Sequence, residues 1–180
     1  MSANQKTITL LCFLVFILPV FSMARAQTIA VFPLEDLSLG VNSPNMEVTM
    51  YLAGRMASKG LNVIQEQDII NFMASKRINW LGYLSTENIM QTKEAMGADL
   101  VLLGTIISKK RSSSYGLILN LIRTLDAKTI WSSSDGLSLS NTQRLLGLNQ
   151  PATMDELWPI LINNVLASWP VDLNEALSKP

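Results

Sequence analysis

Apolar blocks along the chain alternate between strand-like and helix-like spacing. Residues 28–34, TIAVFPL, form a short continuous apolar run that is typical of a buried strand. A polar loop follows, and Ser43-Pro44 predicts the start of a helix, because serine caps helices and proline is favoured at the first helical position. Apolar residues at helical spacing extend this helix to about Lys59, and Gly60 predicts its left-handed end.

The middle of the chain predicts one more strand and two more helices. Residues 61–64 form a second short apolar run. Asp68 is expected to cap the next helix, and Ser85 or Thr86 the one after it, which Gly97 ends.

The following region predicts an antiparallel meander. Residues 100–107, LVLLGTII, are apolar throughout and predict a central strand, in which Gly104 indicates a bulge or a close backbone approach. Two further strand-like runs cover residues 115–124 and 129–133, and short turns separate them.

One last helix is predicted near the end. Residues 153–156, TMDE, match a capping box, and the apolar spacing continues to Trp169. Pro159 conflicts with a regular helix, so that the helix either kinks there or begins nearer Trp158. Residues 171–180 are expected to form a loose tail.

The predicted element order is β-α-β-α-α-β-β-β-α. It indicates an α/β (α+β) fold: a single domain over residues 27–170, in which helices pack on one mixed sheet of about five strands.

Residues 1–26 are predicted to be a signal peptide and not part of the fold. A lysine-bearing start is followed by a short apolar run at residues 10–21, and small residues Ala24 and Ala26 stand before the expected cleavage at Gln27. The alternative is a membrane anchor, which needs about 20 apolar residues.

Composition excludes several function classes. The chain has no histidine, which removes the Ser–His–Asp triad, and one cysteine, Cys12, which lies inside the predicted signal. Acidic and basic residues number 14 each. Cleavage would remove Lys6 and Arg25 and leave a net charge of −2 on the remaining chain, which argues against nucleic-acid binding.

Acidic pairs are the only candidates for catalysis, at Glu35-Asp36 and Asp155-Glu156. Paired carboxylates can perform acid–base chemistry or bind a hard cation. The first pair, however, lies where a strand ends, and the second opens a helix, where negative charge is stabilising. We therefore predict no catalytic residue, no metal and no cofactor.

Exposed aromatic and basic residues are the preferred candidates for partner binding. They lie in the INWLGYL link and around the SKKRSSSY turn: Trp80, Tyr83, Lys109, Lys110, Arg111 and Tyr115. The alternatives are that the aromatic residues cover the edge of the core and that the basic run is a solvated turn.

Methionine is frequent in the predicted helices, at positions 46, 50, 56, 73, 90 and 96. At helical spacing these side chains predict core packing. A methionine-rich groove that adapts to a small ligand or lipid is the alternative.

Four segments resemble a family of bacterial envelope proteins. They are IAVFPLED at 29–36, KGLNVIQEQDIINFM at 59–73, AMGADLVLLGTI at 95–106 and LILNLIRTLDAKTIWSSS at 117–134. In this order they are similar to the TolB amino-terminal domain, the curli secretion protein CsgG and the lipoprotein activators of penicillin-binding proteins. The chain departs from the family in having no convincing lipid-attachment cysteine and in the turn at residues 126–129, which lacks the usual glycine.

The resemblance implies a non-enzymatic periplasmic module, associated with the outer membrane or exported further. Such a module would dock onto protein components of a secretion, pilus, flagellar or cell-wall complex, and would form homo-oligomers. Two alternatives belong to other classes: a cell-wall hydrolase that uses Glu35, Asp36 or Asp155, and a carrier of a small ligand or lipid.

Overall fold

The computed structural model describes residues 26–37, 43–79, 81–109, 114–138 and 154–170, together with positions 173 and 177. In these ranges the strands are β1 (Thr28–Val31), β2 (Leu34–Asp36), β3 (Ser43–Asn45), β4 (Asn62–Val63), β5 (Leu100–Lys109), β6 (Ser114–Arg123) and β7 (Lys128–Ser138). The helices are α1 (Met46–Ser58), α2 (Glu66–Lys76), α3 (Thr86–Met96) and α4 (Met154–Val165), and a 3-10 turn covers Leu166–Ser168.

The described strands form one mixed sheet around β5. On one side β5 pairs with β1 and β2 in parallel, and on the other it pairs antiparallel with β6, which pairs with β7. The predicted fold class and element order are confirmed, with two additional three-residue strands, β2 and β3.

β1 and β2 lie end to end along the same side of β5. Ile29 pairs with Leu100, and Glu35 pairs with Thr105, so six steps along one strand match five along the other. The extra residue lies at Phe32-Pro33, where proline has no N–H to donate. Beyond this broken strand, β4 pairs with β1 and β3 pairs with β2.

Helices cover both faces of the sheet. On one face α1 and α4 bury leucine and isoleucine side chains of β5 and β6, with Leu52 and Leu161 at 0% exposure. On the other face α2 and α3 pack Ile69, Phe72 and Ile89 over a second cluster. Consecutive strand residues point to opposite faces, so one continuous apolar strand such as β5 supplies both clusters.

The first helix begins later than predicted. Ser43 and Pro44 belong to β3, where Pro44 pairs with Glu35, and Asn45 is the residue that caps α1. Its side-chain oxygen accepts the N–H of Val48 at 3.1 Å. The helix-start signal at Ser43-Pro44 was wrong because pairing with β2 extends the chain there. Proline is tolerated in such a strand at the sheet margin.

The caps of α2 and α3 differ in how well the sequence predicted them. Asp68 was the wrong cap for α2: it lies in the first turn, and the carbonyl of Gln65 accepts its N–H. Ser85 does cap α3 and accepts the N–H of Asn88 at 3.2 Å, and Gly97 ends the helix at φ 69°. Glycine tolerates this left-handed conformation without steric cost.

The last helix starts at Met154 and contains Pro159, so the start nearer Trp158 was wrong. Its α-helical part ends at Val165, and the 3-10 turn carries the chain to Ser168, before Pro170. The predicted capping residue Thr153 lies outside the described residues. Leu173 and Leu177, in the predicted tail, pack against the first core cluster.

Gly104 marks a close approach within β5, which was one of the two predictions for it. A Cβ at this position would lie 2.6 Å from Leu119 Cδ2 and 3.0 Å from the Ile118 carbonyl oxygen. Both distances are shorter than van der Waals contact, so the packing of β6 and β2 on β5 requires glycine here.

Candidate interaction surface

The link between α2 and α3 presents Tyr83 on a fixed support. Leu81 and Leu84, on either side, are 9% and 3% exposed, whereas Tyr83 is 70% exposed. Gly82 lies so close to the sheet that a Cβ there would be 2.8 Å from Thr105 Oγ1. The backbone of this link is therefore held by two buried leucines and by the close approach of Gly82 to the sheet. The tyrosine ring projects into solvent.

From its contact with this link at Thr105, β5 runs towards the predicted basic segment. Thr105, which Gly82 touches, is four strand residues before Lys109, a distance of about 13 Å at 3.3 Å per residue. Lys109 is the last residue of β5 and pairs with Ser114. Trp80, Lys110 and Arg111 lie outside the described residues. The structure thus brings the Tyr83 link and the strand end that leads into the basic segment to one region.

Tyr115 lies on the opposite face of the sheet from this link. Its ring packs edge-on against Trp158 of α4, with ring centroids 6.0 Å apart and planes at 68°. The contact attaches α4 to β6, and Tyr115 remains half-buried. Its role in partner binding stays a prediction, and only its uncovered part could contribute.

The chain itself fills the place where doubly wound sheets usually bind small ligands. Such ligands enter the crevice at the carboxyl ends of parallel strands, where neighbouring connections diverge to opposite faces. The connection from β1 to β4 carries α1 on one face, and the connection from β4 to β5 carries α2 and α3 on the other. β2 and β3 continue directly from this point and occupy it by pairing with β5.

The first acidic pair does not converge. Glu35 accepts a hydrogen bond from Thr105 Oγ1 at 3.2 Å, and Asp36 accepts one from Asn45 Nδ2 at 3.0 Å. As neighbours on one strand they point to opposite faces of the sheet. The side chain of Asp155 is outside the part of the chain that the structure describes. Within the described part of the chain, no group of three His, Cys, Asp or Glu residues could hold a metal ion.

The methionines divide between core and surface. Met56 is fully buried, whereas Met50 and Met90 are 61% and 45% exposed. The cleft that Met46 and Met50 share with Pro33 and Ile64 has a volume of about 40 Å³. This is room for about one or two water molecules, far less than a lipid chain needs.

The predicted cleavage point borders the first strand. Gln27, the expected new amino terminus, already accepts the N–H of Asn62 through its carbonyl at 2.9 Å. Thr28 begins β1 and donates its N–H to Asp99 Oδ2 at 2.9 Å. Ala26 is exposed, and Ala24 lies outside the described residues. Gln27 and Thr28 therefore both form hydrogen bonds with the sheet or its connections, and the cleavage itself stays a prediction.

Sequence reasoning missed the structural role of Arg123. This arginine is 8% exposed, and its guanidinium binds the carboxylate of Asp126 and the carbonyl of Leu177. The hydrogen bonds between the two side chains lower the pKa of Asp126 to about 2 and raise the pKa of Arg123. The spacing Arg-x-x-Asp across a predicted turn was the available signal, but only the fold shows that the arginine is buried.

Solved structures with a similar fold include the following three. The C-terminal domain of LpoB from Salmonella enterica aligns with 68% of this chain and 90% of its own, at 16% identity and a TM-score of 0.52. Lipoprotein GNA1162 from Neisseria meningitidis aligns with 79% and 99%, at 16% identity and a TM-score of 0.50. A PelC dodecamer from Paraburkholderia phytofirmans aligns with 80% and 88%, at 14% identity and a TM-score of 0.51.

The class that these structures define is an LpoB-like α/β domain, and this chain has its fold. No protein-family model matches the chain, and no curated protein matches it in sequence. At 14–16% identity the likeness extends to the fold alone. None of the helices in the described ranges has the length and apolar character needed to span a membrane.

Proposed function

We propose that this chain is an exported, non-enzymatic module of the bacterial cell envelope that docks onto a larger protein complex. Docking uses the exposed aromatic ring of Tyr83 and the basic segment that begins at Lys109. Trp80, Lys110, Arg111 and the uncovered part of Tyr115 belong to the same proposal. The complex is a secretion, pilus, flagellar or cell-wall assembly, and the predicted signal at residues 1–26 directs the chain to the periplasm.

The observation that carries the proposal is the support under Tyr83. An exposed tyrosine on a mobile loop would lose conformational entropy on binding, at a cost of about 0.5–1.5 kcal/mol for each immobilised side chain. Here Leu81, Gly82 and Leu84 hold the backbone on both sides before any partner arrives. Tyrosine in such a setting is typical of interface hot spots, because its large ring is apolar and its hydroxyl can form a hydrogen bond.

The geometry of the acidic residues and of the sheet crevice also supports an interaction role. Glu35 and Asp36 point to opposite faces, and β2 and β3 fill the crevice in which a substrate would bind in a related sheet architecture. Neither observation favours the hydrolase. The small cleft beside Met50 does not favour a lipid carrier.

The names of the fold neighbours give further support. GNA1162 is a lipoprotein, and PelC was solved as a dodecamer. We infer that this chain shares an envelope setting and that it also self-associates, since sheet domains of this kind can form rings through repeated head-to-tail contacts.

Site-specific photo-cross-linking in intact bacteria tests the proposal. A photoreactive amino acid is placed at Tyr83, and in a matched control at Glu94, an exposed position on α3. We expect position 83 to cross-link to an envelope protein and position 94 not to do so. Amino-terminal sequencing of the exported chain should begin at Gln27.

Two results would contradict the proposal. One is cross-linking from position 83 only to cytoplasmic proteins, and the other is equal cross-linking from both positions. A band at the mass of a homo-oligomer would instead support self-association through the Tyr83 region.

A further inference from the structure

Strand β7 forms one edge of the sheet. Among the described strands it pairs with β6 alone, so the backbone N–H and carbonyl groups on its other side face no strand in the described part of the chain. From Trp131 to Leu137 it follows β6 in an unbroken register. An edge of this length presents a row of hydrogen-bonding groups with which another strand can pair.

The usual protections of an edge strand are missing from most of β7. Proteins protect such edges with proline, with charged side chains or with a bulge that twists the edge away. The bulge in β7 lies near its start, where Ile130 is the extra residue in the pairing with β6. Residues 131–137 contain no proline and one charged residue, Asp135. This segment is therefore open to the addition of a strand.

The side chains of residues 131–137 differ between the two faces of the sheet. On the α4 side, Trp131 and Leu137 are half-buried and pack against the first core cluster. Between them on that face, Ser133 accepts a hydrogen bond from the Ser168 hydroxyl at 3.1 Å. The other face carries small, exposed residues: Ser132, Ser134 and Gly136. A matching strand needs apolar residues at both ends of one face and small or polar residues elsewhere.

The segment meets these needs itself when it pairs with a second copy. In an antiparallel pair related by a two-fold axis, facing residues lie on the same face of the combined sheet. With Ser134 on the axis, Trp131 faces Leu137 of the second copy. Asp135 then faces Ser133 of the second copy, whose hydroxyl can donate to the carboxylate. Each of these pairs forms twice, and matched cross-strand pairs stabilise antiparallel strands.

The neighbouring two-fold registers are less favourable. With Asp135 on the axis, two carboxylates would face each other, and like charges directly opposite are destabilising. With Ser133 on the axis, the indole of Trp131 would face the carboxylate of Asp135. With Ser132 on the axis, only residues 131–133 would pair before the bulge at Ile130 interrupts the strand. The charge and side-chain pattern therefore selects both the occupant and its register.

We propose that β7 joins two copies of this chain by antiparallel pairing of residues 131–137, with Ser134 on the two-fold axis, so that two sheets continue as one. The inference goes beyond the proposed function. Head-to-tail contacts generate rings, whereas this contact is two-fold and closes with two copies.

Engineered disulfides in the full chain test this register. Cys12→Ser removes the only native cysteine and is the background for every cysteine variant. Ser134→Cys should place two thiols opposite each other, with Cα atoms about 4.5–5.5 Å apart. Disulfides form at about 4.4–6.8 Å. Ser132→Cys is the matched control on the same face and edge, because its two copies would be offset by about 13 Å along the strands.

We expect oxidation with diamide to yield the covalent dimer of Ser134→Cys at least about tenfold faster than that of Ser132→Cys. A mixture of Ser132→Cys and Gly136→Cys chains should form the mixed dimer, because these two positions face each other in the proposed register. A Cβ at position 136 would lie 3.5 Å from its nearest neighbour, so the chain accepts it.

A charge at the axis tests the contact without a cross-link. Ser134→Lys should weaken dimerisation by about fivefold or more in analytical ultracentrifugation, because like charges would then face each other. Ser132→Lys should have a smaller effect, since its charges would be separated by more than the Debye length of about 10 Å at about 0.1 M salt. Circular dichroism should show that both exposed-site variants fold as wild type does.

Three results would overturn the inference. They are a wild-type chain that stays monomeric at about 1 mM, equal rates of cross-linking from positions 132 and 134, and association that Ser134→Lys leaves unchanged. The last would mean that another surface joins the copies. Cross-linking from position 83 to an envelope protein would still support the proposed function in each case, so the two failures are distinguishable.

Discussion

The guanidinium of Arg123 holds the carboxylate of Asp126 through two parallel hydrogen bonds, 2.9 Å from Nε to Oδ1 and 2.6 Å from Nη2 to Oδ2. Its remaining Nη1 donates to the carbonyl of Leu177. The pair therefore closes the turn between β6 and β7 and also ties down a residue of the predicted tail.

The first prediction concerns the pH dependence of this pair. Arg123 lowers the pKa of Asp126 from 3.8 to about 2, so the folded state favours the charged carboxylate. A depressed carboxyl pKa contributes stability that is present above about pH 4 and is lost as the pH falls towards 2. We expect Asp126→Asn to be less stable than wild type at pH 7 in urea denaturation, with the difference narrowing between about pH 4 and pH 2. Glu94→Gln, an exposed change on α3, is the control. A difference that does not depend on pH would contradict this assignment.

The second prediction contrasts two glycines. Gly104→Ala places a Cβ 2.6 Å from Leu119 Cδ2 inside the core, and should destabilise the chain by about 1–3 kcal/mol. Gly54→Ala meets nothing within 4 Å and removes a glycine from the interior of α1, so it should stabilise by about 0.5–1 kcal/mol. Urea denaturation measures both changes, and effects of the same sign would refute the packing described for β5.

The third prediction concerns how β7 holds the 3-10 turn that follows α4. The indole N–H of Trp131 donates to the Ser168 carbonyl at 2.8 Å, and its ring packs against Trp169 with centroids 5.0 Å apart. Trp131→Phe keeps an aromatic ring and removes the donor, so we expect a loss of about 1 kcal/mol in the free energy of unfolding. Thermal denaturation followed by circular dichroism gives this value. Stability equal to that of wild type would mean that the hydrogen bond contributes nothing.

Local sequence patterns were sufficient for the long elements. The apolar runs of β5 and β6 and the two capping residues of α3 are visible in the local sequence, so neighbouring residues determine whether each segment is a strand or a helix. β2 and β3 are three residues each, and β3 contains Pro44. Their existence depends on β5, since Glu35 pairs with Thr105, 70 residues further along the chain. A long-range contact of this kind overrides the local helix signal at Ser43-Pro44.

Local sequence patterns were likewise insufficient to predict the candidate surface. Residue type indicated Tyr83 and Tyr115 alike, but the fold places Tyr83 in solvent and packs Tyr115 on Trp158. Ile107, Gly116 and Gly136 are neighbours because β5, β6 and β7 pair in a fixed register, although the three residues are far apart in the sequence. Surface sites formed across strands require the register before they can be recognised.

The last prediction separates binding from stability in the Tyr83 link. Tyr83→Ala removes a ring that is 70% exposed, so the free energy of unfolding should change by no more than about 0.5 kcal/mol. Cross-linking to the envelope partner from a neighbouring reporter at the exposed Thr86 should fall. Leu84→Ala, one residue away, truncates a side chain that is 3% exposed and should cost about 2–5 kcal/mol.

Tyr83→Phe separates the hydroxyl from the ring in the same assay. If the ring supplies most of the binding energy, the phenylalanine variant should retain most of the cross-linking that the alanine variant loses. If Tyr83→Ala unfolds the chain as Leu84→Ala does, the ring belongs to the core edge, as the alternative interpretation of the INWLGYL link holds. Retained stability together with retained cross-linking would show instead that the partner binds elsewhere, because a hot-spot tyrosine cannot be removed without loss of affinity.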